Sequence, residues 1–449
     1  MKKIIKTFFL FILLQSCSFD NKTGIWENAE KSFSKKVDTS LYENIEVLFK
    51  DEQLFFDELD PPKTFNFQIG EPKIVTNWLS EFQNSNNNLS NIALNNNKIV
   101  DFKSTKLTRN KINKNIFYKE NNIIFSDQKG FIYVYSINEK NIIFKYNFYK
   151  KKFKKYKKEI YLTIKGNKIF ATDNLGYIYC LDYFLNKVIW AKNYGIPFRS
   201  NIQLIGKQLF IANNDSQIAS INVENGEKNW NYETVVSLIK TDFKNNISAD
   251  KFNNLFFLNT GGTLYSFNLI ENRVSWIVNL INTSKIKSNL FFANSVVVDA
   301  DKLLISSDNF ISLHNSKSGF KYWQKPVSSS SKPVISNELI YIISKKELLI
   351  CIETKSGNII WSKNIKNIKN VKKIPKNIKK ISKIDQIEEI YIINNKLYLF
   401  SKNGFMVNVN HKNGSVISVD KITKLKSKPI FVGGSLYFIN SKNKLIRFN

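Results

Sequence analysis

The sequence contains few of the residues that most often carry catalysis or bind metals. Its 449 residues include three cysteines, two histidines and two methionines. No Gly-x-Ser-x-Gly, Walker-type, His-Glu-x-x-His or Cys-x-x-Cys motif occurs in it. The histidines, His314 and His411, have no neighbouring cysteine or acidic residue, and isolated histidines do not predict a metal site. We therefore expect a protein that is not an enzyme and that holds neither a cofactor nor a metal.

Acidic residues are also scarce. Lysine and arginine total 67 against 37 aspartates and glutamates, so the formal net charge is +30. Such a chain could neutralise nucleic-acid phosphates. However, lysine is abundant together with Asn, Ile and Phe, whereas Arg, His, Met and Pro are rare, as an AT-rich coding sequence would produce. We interpret the excess lysine as solvated surface and expect no nucleic-acid partner.

The dominant pattern of the sequence is short apolar runs that occur in pairs. Each pair alternates with period two across a polar or glycine turn, as a β-hairpin does. Eight copies occur, at 122–137, 167–182, 207–222, 255–268, 301–315, 338–353, 395–410 and 434–449. A third run usually follows and often ends in an aromatic residue, at Tyr146, Trp190, Trp230, Trp276, Trp323 and Trp361. A repeat of this length without helical periodicity predicts an all-β fold, an eight-bladed β-propeller of four-stranded antiparallel blades spanning 98–449.

The last blade lacks a fourth strand after its hairpin. The stretch "NNKIVDFKS" at 96–104 resembles "LNKVIWAKN" at 185–193, the outer strand of another repeat. We therefore predict that Lys98–Phe102 closes the last blade, so that the ring has no open edge. Residues 17–97, with the low-complexity run "NSNNNLSNIALNNN", are predicted to be a partly disordered tether. Deleting residues 1–90 should accordingly leave the ring intact.

The N-terminus has the features of an export signal. A basic "MKKIIK" precedes the apolar run Thr7–Leu14, which is too short to span a bilayer. The tetrad "LQSC" resembles a lipobox, although Gln15 departs from the usual residue type. Residues 1–16 are therefore predicted to be a lipoprotein signal peptide, and Cys17 is predicted to be lipidated. Ser18 resembles the pattern of lipoproteins sent to the outer membrane; a plain secretory signal with a free cysteine is the alternative.

Cys180 and Cys351 fall at equivalent places in two hairpins. Their repeats lie far apart around the predicted ring, which makes a disulfide between them geometrically unfavourable. Both are interpreted as core thiols.

The repeat "NKIFATDNLGYIYCLDYFLNKVIW" resembles the quinoprotein-type, PQQ-like propeller repeat, as do "NTGGTLYSFN", "INVENGEKNW" and "CIETKSGNIIW". The chain resembles above all the BamB-type outer-membrane assembly lipoproteins. This resemblance implies a non-catalytic scaffold on the periplasmic face of the outer membrane, bound to the periplasmic domains of the barrel-assembly protein. The alternative is a PQQ-dependent dehydrogenase-like enzyme or a small-ligand-binding propeller. Those dehydrogenases commonly carry adjacent cysteines and acidic calcium ligands, which we do not find.

The resemblance also implies a partner contact on loops between blades. In "VVSLIKTDF" at 235–243, Ser237 and Leu238 match the family's contact stretch, whereas Ile239 stands where that stretch has an arginine. Arg199, in the preceding connection, is a second candidate, with a structural role in its loop as the alternative.

Two basic runs, at 149–159 and 363–383, each follow the outer strand of a repeat. We therefore expect them on the same face as Arg199 and Leu238. Lys372, Lys373, Lys379 and Lys380 are candidates for steering an acidic partner or anionic lipid towards that face. A solvated loop without a partner is the alternative.

Overall fold

The structure, a computed structural model, describes residues 54–95, 99–149, 151–234, 243–281, 291–366, 378 and 380–449, and two short strands nearer the N-terminus. The chain forms two compact units, Met1–Gln53 and Leu54–Asn449. In the first, β1 (Cys17–Phe19) pairs with β2 (Trp26–Asn28) in antiparallel orientation. Within the part of the chain that the structure describes, no helix combines the length and the apolar character needed to cross a bilayer.

The second unit is an eight-bladed β-propeller of four-stranded antiparallel sheets, which confirms the predicted fold. Seven blades are continuous in sequence, and their first strands lie innermost, next to one another around a central channel. The strands of blades 1 to 3 are β4 (Ile112–Lys119), β5 (Asn122–Asp127), β6 (Phe131–Ser136), β7 (Asn141–Asn147), β8 (Ile160–Lys165), β9 (Lys168–Asp173), β10 (Tyr177–Asp182), β11 (Lys187–Asn193), β12 (Gln203–Ile205), β13 (Gln208–Ala212), β14 (Ile218–Asn222) and β15 (Lys228–Tyr232). Those of blades 4 and 5 are β16 (Asn246–Ala249), β17 (Asn254–Leu258), β18 (Thr263–Asn268), β19 (Arg273–Asn279), β20 (Val297–Asp299), β21 (Lys302–Ser306), β22 (Ile311–Asn315) and β23 (Lys321–Lys325). Those of blades 6 and 7 are β24 (Val334–Ser336), β25 (Leu339–Ile343), β26 (Leu348–Glu353), β27 (Ile359–Asn364), β28 (Ile387–Ile393), β29 (Lys396–Ser401), β30 (Phe405–Asn410) and β31 (Val416–Lys421).

Blade 8 combines the two ends of the unit. It contains β32 (Ile430–Val432), β33 (Ser435–Ile439), β34 (Leu445–Phe448) and, outermost, β3 (Val100–Lys103). Val100 pairs with Phe448 and Lys103 with Ile446, and the Arg447 guanidinium reaches both carboxylate oxygens of Asp101 at 2.8–2.9 Å. The strand from the predicted segment thus completes the last blade, with bounds at Val100–Lys103 rather than 98–102.

Neighbouring blades are joined by tryptophans of the outer strands. Trp190 lies against Gly226, in the turn between the third and fourth strands of the next blade, and its indole N–H donates to the Val223 carbonyl at 3.0 Å. The same arrangement joins Trp276 to Gly319 and Trp323 to Gly357. The Trp-to-Trp period of the sequence is therefore the spacing of these inter-blade contacts.

Residues 70–95, which we call the plug segment, cross one end of the central channel. Backbone hydrogen bonds tie the segment to inner strands around the ring, between Trp78 and Tyr118 of blade 1 at 2.9 Å, Leu79 and Ile164 of blade 2 at 2.9 Å, Ser85 and Ala249 of blade 4 at 2.8 Å, Asn86 and Val298 of blade 5 at 2.9 Å, and Ile92 and Ile392 of blade 7 at 2.9 Å. These contacts lie towards the C-terminal ends of the inner strands. The face at these ends carries the turns between the first and second strands and between the third and fourth strands of each blade, whereas the turns between the second and third strands lie on the opposite face. We call the face at these C-terminal ends the hairpin face.

The asparagines of the plug segment satisfy polar groups that the ring buries. The Asn87 amide donates to the Ile247 and Val296 carbonyls, each at 3.0 Å, and accepts from Gln203 at 3.0 Å. Asn88 donates to the Ile335 carbonyl at 3.1 Å. Because every buried carbonyl needs a donor, this asparagine-rich run forms a polar seal.

The apolar side chains of the same segment are buried as well, at Trp78, Phe82, Leu89 and Ile92. Further upstream, Leu59 forms an antiparallel bridge with Ser362 of β27. The prediction of a tether over 17–97 therefore does not hold for residues 54–95, and deleting residues 1–90 would strip buried groups from the ring. The sequence pattern missed this because the burying surface is supplied by eight separate blades.

Candidate functional site

The connections that run from each outer strand to the next inner strand lie on the face opposite the hairpin face, which we call the connection face. Arg199 is in the connection between β11 and β12. Its backbone N–H donates to the Ala212 carbonyl at 3.0 Å, and its carbonyl accepts from Asn245 at 2.8 Å. Its guanidinium lies 3.7 Å from the Glu159 carboxylate, and the side chain is 18% exposed. Arg199 thus links three successive connections, while its role in binding a partner stays a prediction.

The other predicted contact residues are described only in part. Ser237 and Leu238 lie outside the described residues, as do Lys372, Lys373 and Lys379. Lys380 is exposed and precedes a short 3-10 turn at Ile381–Lys383, in the connection between β27 and β28. This position on the connection face agrees with the predicted topology.

The first basic run is better described. Lys154, Lys155 and Lys157 are exposed in the connection between β7 and β8. Lys158 instead is buried, donates to the Phe153 carbonyl and lies 5.2 Å from the Tyr149 ring centroid. Burial lowers the pKa of the Lys158 ammonium. The run therefore contributes both surface charge and one lysine that holds the connection together.

A chamber of about 440 Å³ opens at the channel's end on the connection face. It is bordered by the starts of inner strands from six blades, and Glu81 and Phe82 of the plug segment line it as well. Its charged lining residues are Glu81, Lys114, Lys244, Lys332, Glu388, Glu389, Lys426 and Lys428. Five lysines therefore face three glutamates in a confined space.

One of these lysines is compensated by two carboxylates. The Lys428 ammonium lies 3.5 Å from Glu389 and 3.7 Å from Glu81. Burial disfavours its charge, but the two carboxylates raise the pKa of Lys428 above its ordinary value. Burial likewise opposes the Glu81 carboxylate, yet Lys244 and Lys428 hold the pKa of Glu81 below its usual range. Glu81, Lys428 and Glu389 therefore stabilise one another's charged forms at the chamber wall.

Lys332 is held differently. Its ammonium donates to the Asn87 carbonyl at 2.9 Å and lies 5.6 Å from the Phe82 ring centroid. No carboxylate among the described residues lies within ion-pair distance of it. Burial is the main cause that lowers the pKa of Lys332 to about 8; Glu389 opposes this change, and Lys428 adds to it.

Sequence reasoning missed the chamber residues, although one signal was available. The triplet Ser-Lys-Pro occurs at 331–333 and again at 427–429, in each case directly before an inner strand. Because inner strands begin at the channel, a charged residue repeated at that position is placed at its mouth.

The described residues do not supply the metal centre that the dehydrogenase resemblance implies. Among them, no three His, Cys, Asp or Glu side chains are grouped as metal ligands would be. Cys180 and Cys351 are buried free thiols in blades 2 and 6, and burial raises the pKa of Cys180 to about 12. Burial also lowers the pKa of His314 and His411. The chamber's acids Glu81 and Glu389 are already engaged with Lys428, so these residues do not fit a PQQ–calcium centre.

Solved structures with the same architecture come from functionally different proteins. BamB from Moraxella catarrhalis matches with 12% identity and a TM-score of 0.59, over 77% of this chain and 99% of that one. A europium-containing methanol dehydrogenase matches with 11% identity and a TM-score of 0.59, over 83% and 89%. Saccharomyces cerevisiae Sqt1 matches with 11% identity and a TM-score of 0.56, over 77% and 99%. At these identities the likeness shows the fold alone.

Matches in sequence distinguish between these proteins, whereas the shared fold does not. No curated protein sequence matches significantly. The family model described as outer membrane protein assembly factor BamB matches residues 149–363, from the first basic run to the outer strand of blade 6. Together with the eight-bladed ring, this match makes the repeats in this part of the chain similar to those of the BamB-type, PQQ-like family.

Proposed function

We propose that this protein is a non-catalytic, lipid-anchored scaffold on the periplasmic face of the outer membrane, where it supports insertion of β-barrel proteins by binding the barrel-assembly machinery. The observation that carries the proposal is the BamB-type repeat within a closed eight-bladed ring. A ring held by inter-blade tryptophans is a rigid support for the loops between blades, which suits docking of another protein.

The connection face is the proposed docking surface. Arg199, Ser237 and Leu238 are its proposed contact residues. The lysines of its two basic runs add a positive charge that would attract an acidic partner or anionic head groups, at roughly 1 kcal/mol per lysine near a charged membrane. Electrostatic attraction of this kind acts mainly on the rate of association and weakens with salt.

Membrane attachment is proposed to occur through Cys17. The test is metabolic labelling with a fatty acid, followed by membrane fractionation of wild type and Cys17→Ala. We expect labelling and membrane association in the wild type and loss of both in the variant. An unlabelled, freely soluble wild-type protein would contradict the anchor, whatever its partner.

Partner binding is tested by crosslinking and co-purification from membranes. We expect the wild type to co-purify with the barrel-assembly protein. Charge reversal at Lys372, Lys373, Lys379 and Lys380 should weaken this association in low salt and leave the fold unchanged. The matched control reverses Lys140, Lys207, Lys355 and Lys412, which are exposed in turns of the hairpin face.

Equal losses in the two sets of variants would show that only net charge matters and would contradict docking at the connection face. Dehydrogenase activity of the purified protein in the presence of pyrroloquinoline quinone and calcium would instead favour the dehydrogenase-like alternative.

A further inference from the structure

The chamber at the open end of the channel has the dimensions of a small-molecule site. Its volume of about 440 Å³ lies within the range of known ligand pockets. The plug segment supports one side through Phe82, which is 8% exposed and lies under the ammonium groups of both Lys332 and Lys428. The chamber is therefore bounded by the plug segment on one side and is not a channel through the whole ring.

The charges that line the chamber are not balanced. The Lys428 ammonium is within ion-pair distance of both Glu81 and Glu389. Lys332 and Lys426 have no carboxylate at that distance among the described residues. Each uncompensated ammonium group in a confined space favours an anion beside it.

Lys426 lies in a positive environment of its own. It is half-buried in the connection between β31 and β32, and burial is the main cause that lowers its pKa. The nearby ammonium groups of Lys111 and Lys106 lower the pKa of Lys426 as well. The remaining acid of the chamber lining, Glu388, is exposed to solvent. An anion inside the chamber would therefore relieve repulsion among lysines on this side.

The wall beside Lys332 also presents an unpartnered polar atom. Ser331 lines the chamber and is 3% exposed, and its hydroxyl oxygen has no hydrogen-bond partner among the described residues. A buried hydroxyl without a partner is uncommon, and an anionic oxygen would accept its hydrogen bond. Phe243 and Phe292, whose rings meet edge to face at 5.2 Å, supply an apolar wall.

From this arrangement we propose that the chamber binds a small polyanion carrying at least two phosphate or carboxylate groups, with Lys332 and Lys426 as its charge partners and the Ser331 hydroxyl as a donor. The proposal does not rest on the scaffold function, since it is argued only from the residues that line the chamber. A bound anion would balance the chamber's charge without displacing the Glu81–Lys428–Glu389 group.

The test is isothermal titration calorimetry of the purified full chain with inorganic pyrophosphate and with citrate, in low salt. We expect one site per chain for at least one of these probes. Lys332→Met should weaken binding by at least about tenfold, the effect of losing one close charge partner. Lys332→Arg should retain most of the affinity. Lys187→Met, at an exposed position in β11, is the matched control and should bind like the wild type.

Proton uptake gives a second measurement that a merely structural lysine would not change. Because the pKa of Lys332 is about 8 and an anion beside it raises that value, binding near pH 8 should take up protons. Glu389 and Lys428, the charged groups that act on Lys332, are unchanged in all of these variants. The binding enthalpy should therefore depend on the buffer in the wild type, and this dependence should be smaller in Lys332→Met.

Three results would overturn the proposal. They are no binding of either probe up to about 1 mM, equal weakening by Lys332→Met and Lys187→Met, and binding of a poly-glutamate peptide without binding of either small anion. The last result would assign the chamber to an acidic peptide instead.

Discussion

The two ends of the propeller channel differ in the side chains that line them: neutral amides at one end and charged groups at the other. At the hairpin face, the plug segment closes the channel with neutral asparagine amides, and Asn87 alone makes three hydrogen bonds to three blades. At the connection face, the channel ends in a chamber in which five lysines face three glutamates. The same inner strands border both ends, so the difference comes from the residues placed at their two termini.

We interpret the sealed end as the one that stabilises the ring and the open end as the one that binds a ligand. A neutral amide satisfies a buried carbonyl without the desolvation penalty of a charge, and the sealed end is therefore suited to holding the ring together. Buried lysines without carboxylate partners cost stability, because a charge taken out of water is left uncompensated. We therefore expect substitutions to cost the most stability at the sealed end and the least at the open end.

The largest effect is expected on removing the seal. Deleting residues 1–98 keeps β3 but removes Trp78, Phe82, Leu89 and Ile92, all of which are buried. At about 1.5–3 kcal/mol for each large apolar side chain, the free energy of unfolding should fall by more than about 5 kcal/mol. Deleting only residues 1–53, a separate compact unit, should leave the melting temperature of the propeller nearly unchanged. Equal melting temperatures for the two truncations would contradict the role of the plug segment.

A smaller effect is expected from one atom of the seal. Asn87→Asp preserves the shape of the side chain but replaces its amide donor with a charged acceptor that faces the Ile247 and Val296 carbonyls. Urea denaturation should show a loss of about 2–3 kcal/mol. Asn86→Asp is the control, because the side-chain oxygen of Asn86 accepts a hydrogen bond from the Asn88 N–H at 3.3 Å and an aspartate can still accept it. A similar loss in both variants would mean that added negative charge, rather than the lost donor, is responsible.

The inter-blade contacts allow a matched pair of glycine substitutions. Gly226 has φ +73°, and a Cβ there would lie 2.5 Å from the Trp190 ring. Gly195, in the connection after β11, has φ +76° and nothing within 4 Å of a Cβ. Both alanine variants carry the cost of a left-handed backbone, so their difference isolates the tryptophan contact. We expect Gly226→Ala to be less stable than Gly195→Ala by about 1–3 kcal/mol in urea denaturation, and no difference would exclude the contact.

The smallest effect is expected at the open end, and it depends on pH. The pKa of Lys332 is about 8 in the folded chain against an ordinary value of 10.5. Between these values the unfolded chain holds the proton and the folded chain has released it, so stability rises with pH across this window. Lys332→Met should be more stable than wild type below pH 8, by about 1 kcal/mol after allowing for its partial exposure, and should lack this rise. Parallel stability curves for the two proteins would show that Lys332 is not destabilised in the folded state.

The blades could be predicted from sequence because each hairpin is local. Period-two alternation and the recurring tryptophans are set by contacts within one blade or between neighbours, as Trp190 and Gly226 illustrate. The strand at Val100–Lys103 could be assigned because it resembles other outer strands.

The plug segment and the chamber could not be predicted in the same way. Asn87 lies in a run whose composition is typical of loops, and its role depends on carbonyls more than a hundred residues away in sequence. Lys332 and Lys428 come together only because the ring closes. Local patterns carry no information about such neighbours, apart from the repeated Ser-Lys-Pro triplet.

The closure of blade 8 has a kinetic consequence. Asp101 and Arg447 are 346 positions apart in the chain, so their pairing closes a loop that contains all the other blades. Loop-closure entropy grows with loop length, and contacts of such high sequence separation form slowly. Until β34 has formed, β3 has no strand to pair with, and the exposed strands at both edges of the incomplete ring can pair with other chains. The time needed to finish the circle is therefore the period in which this protein most needs protection from aggregation.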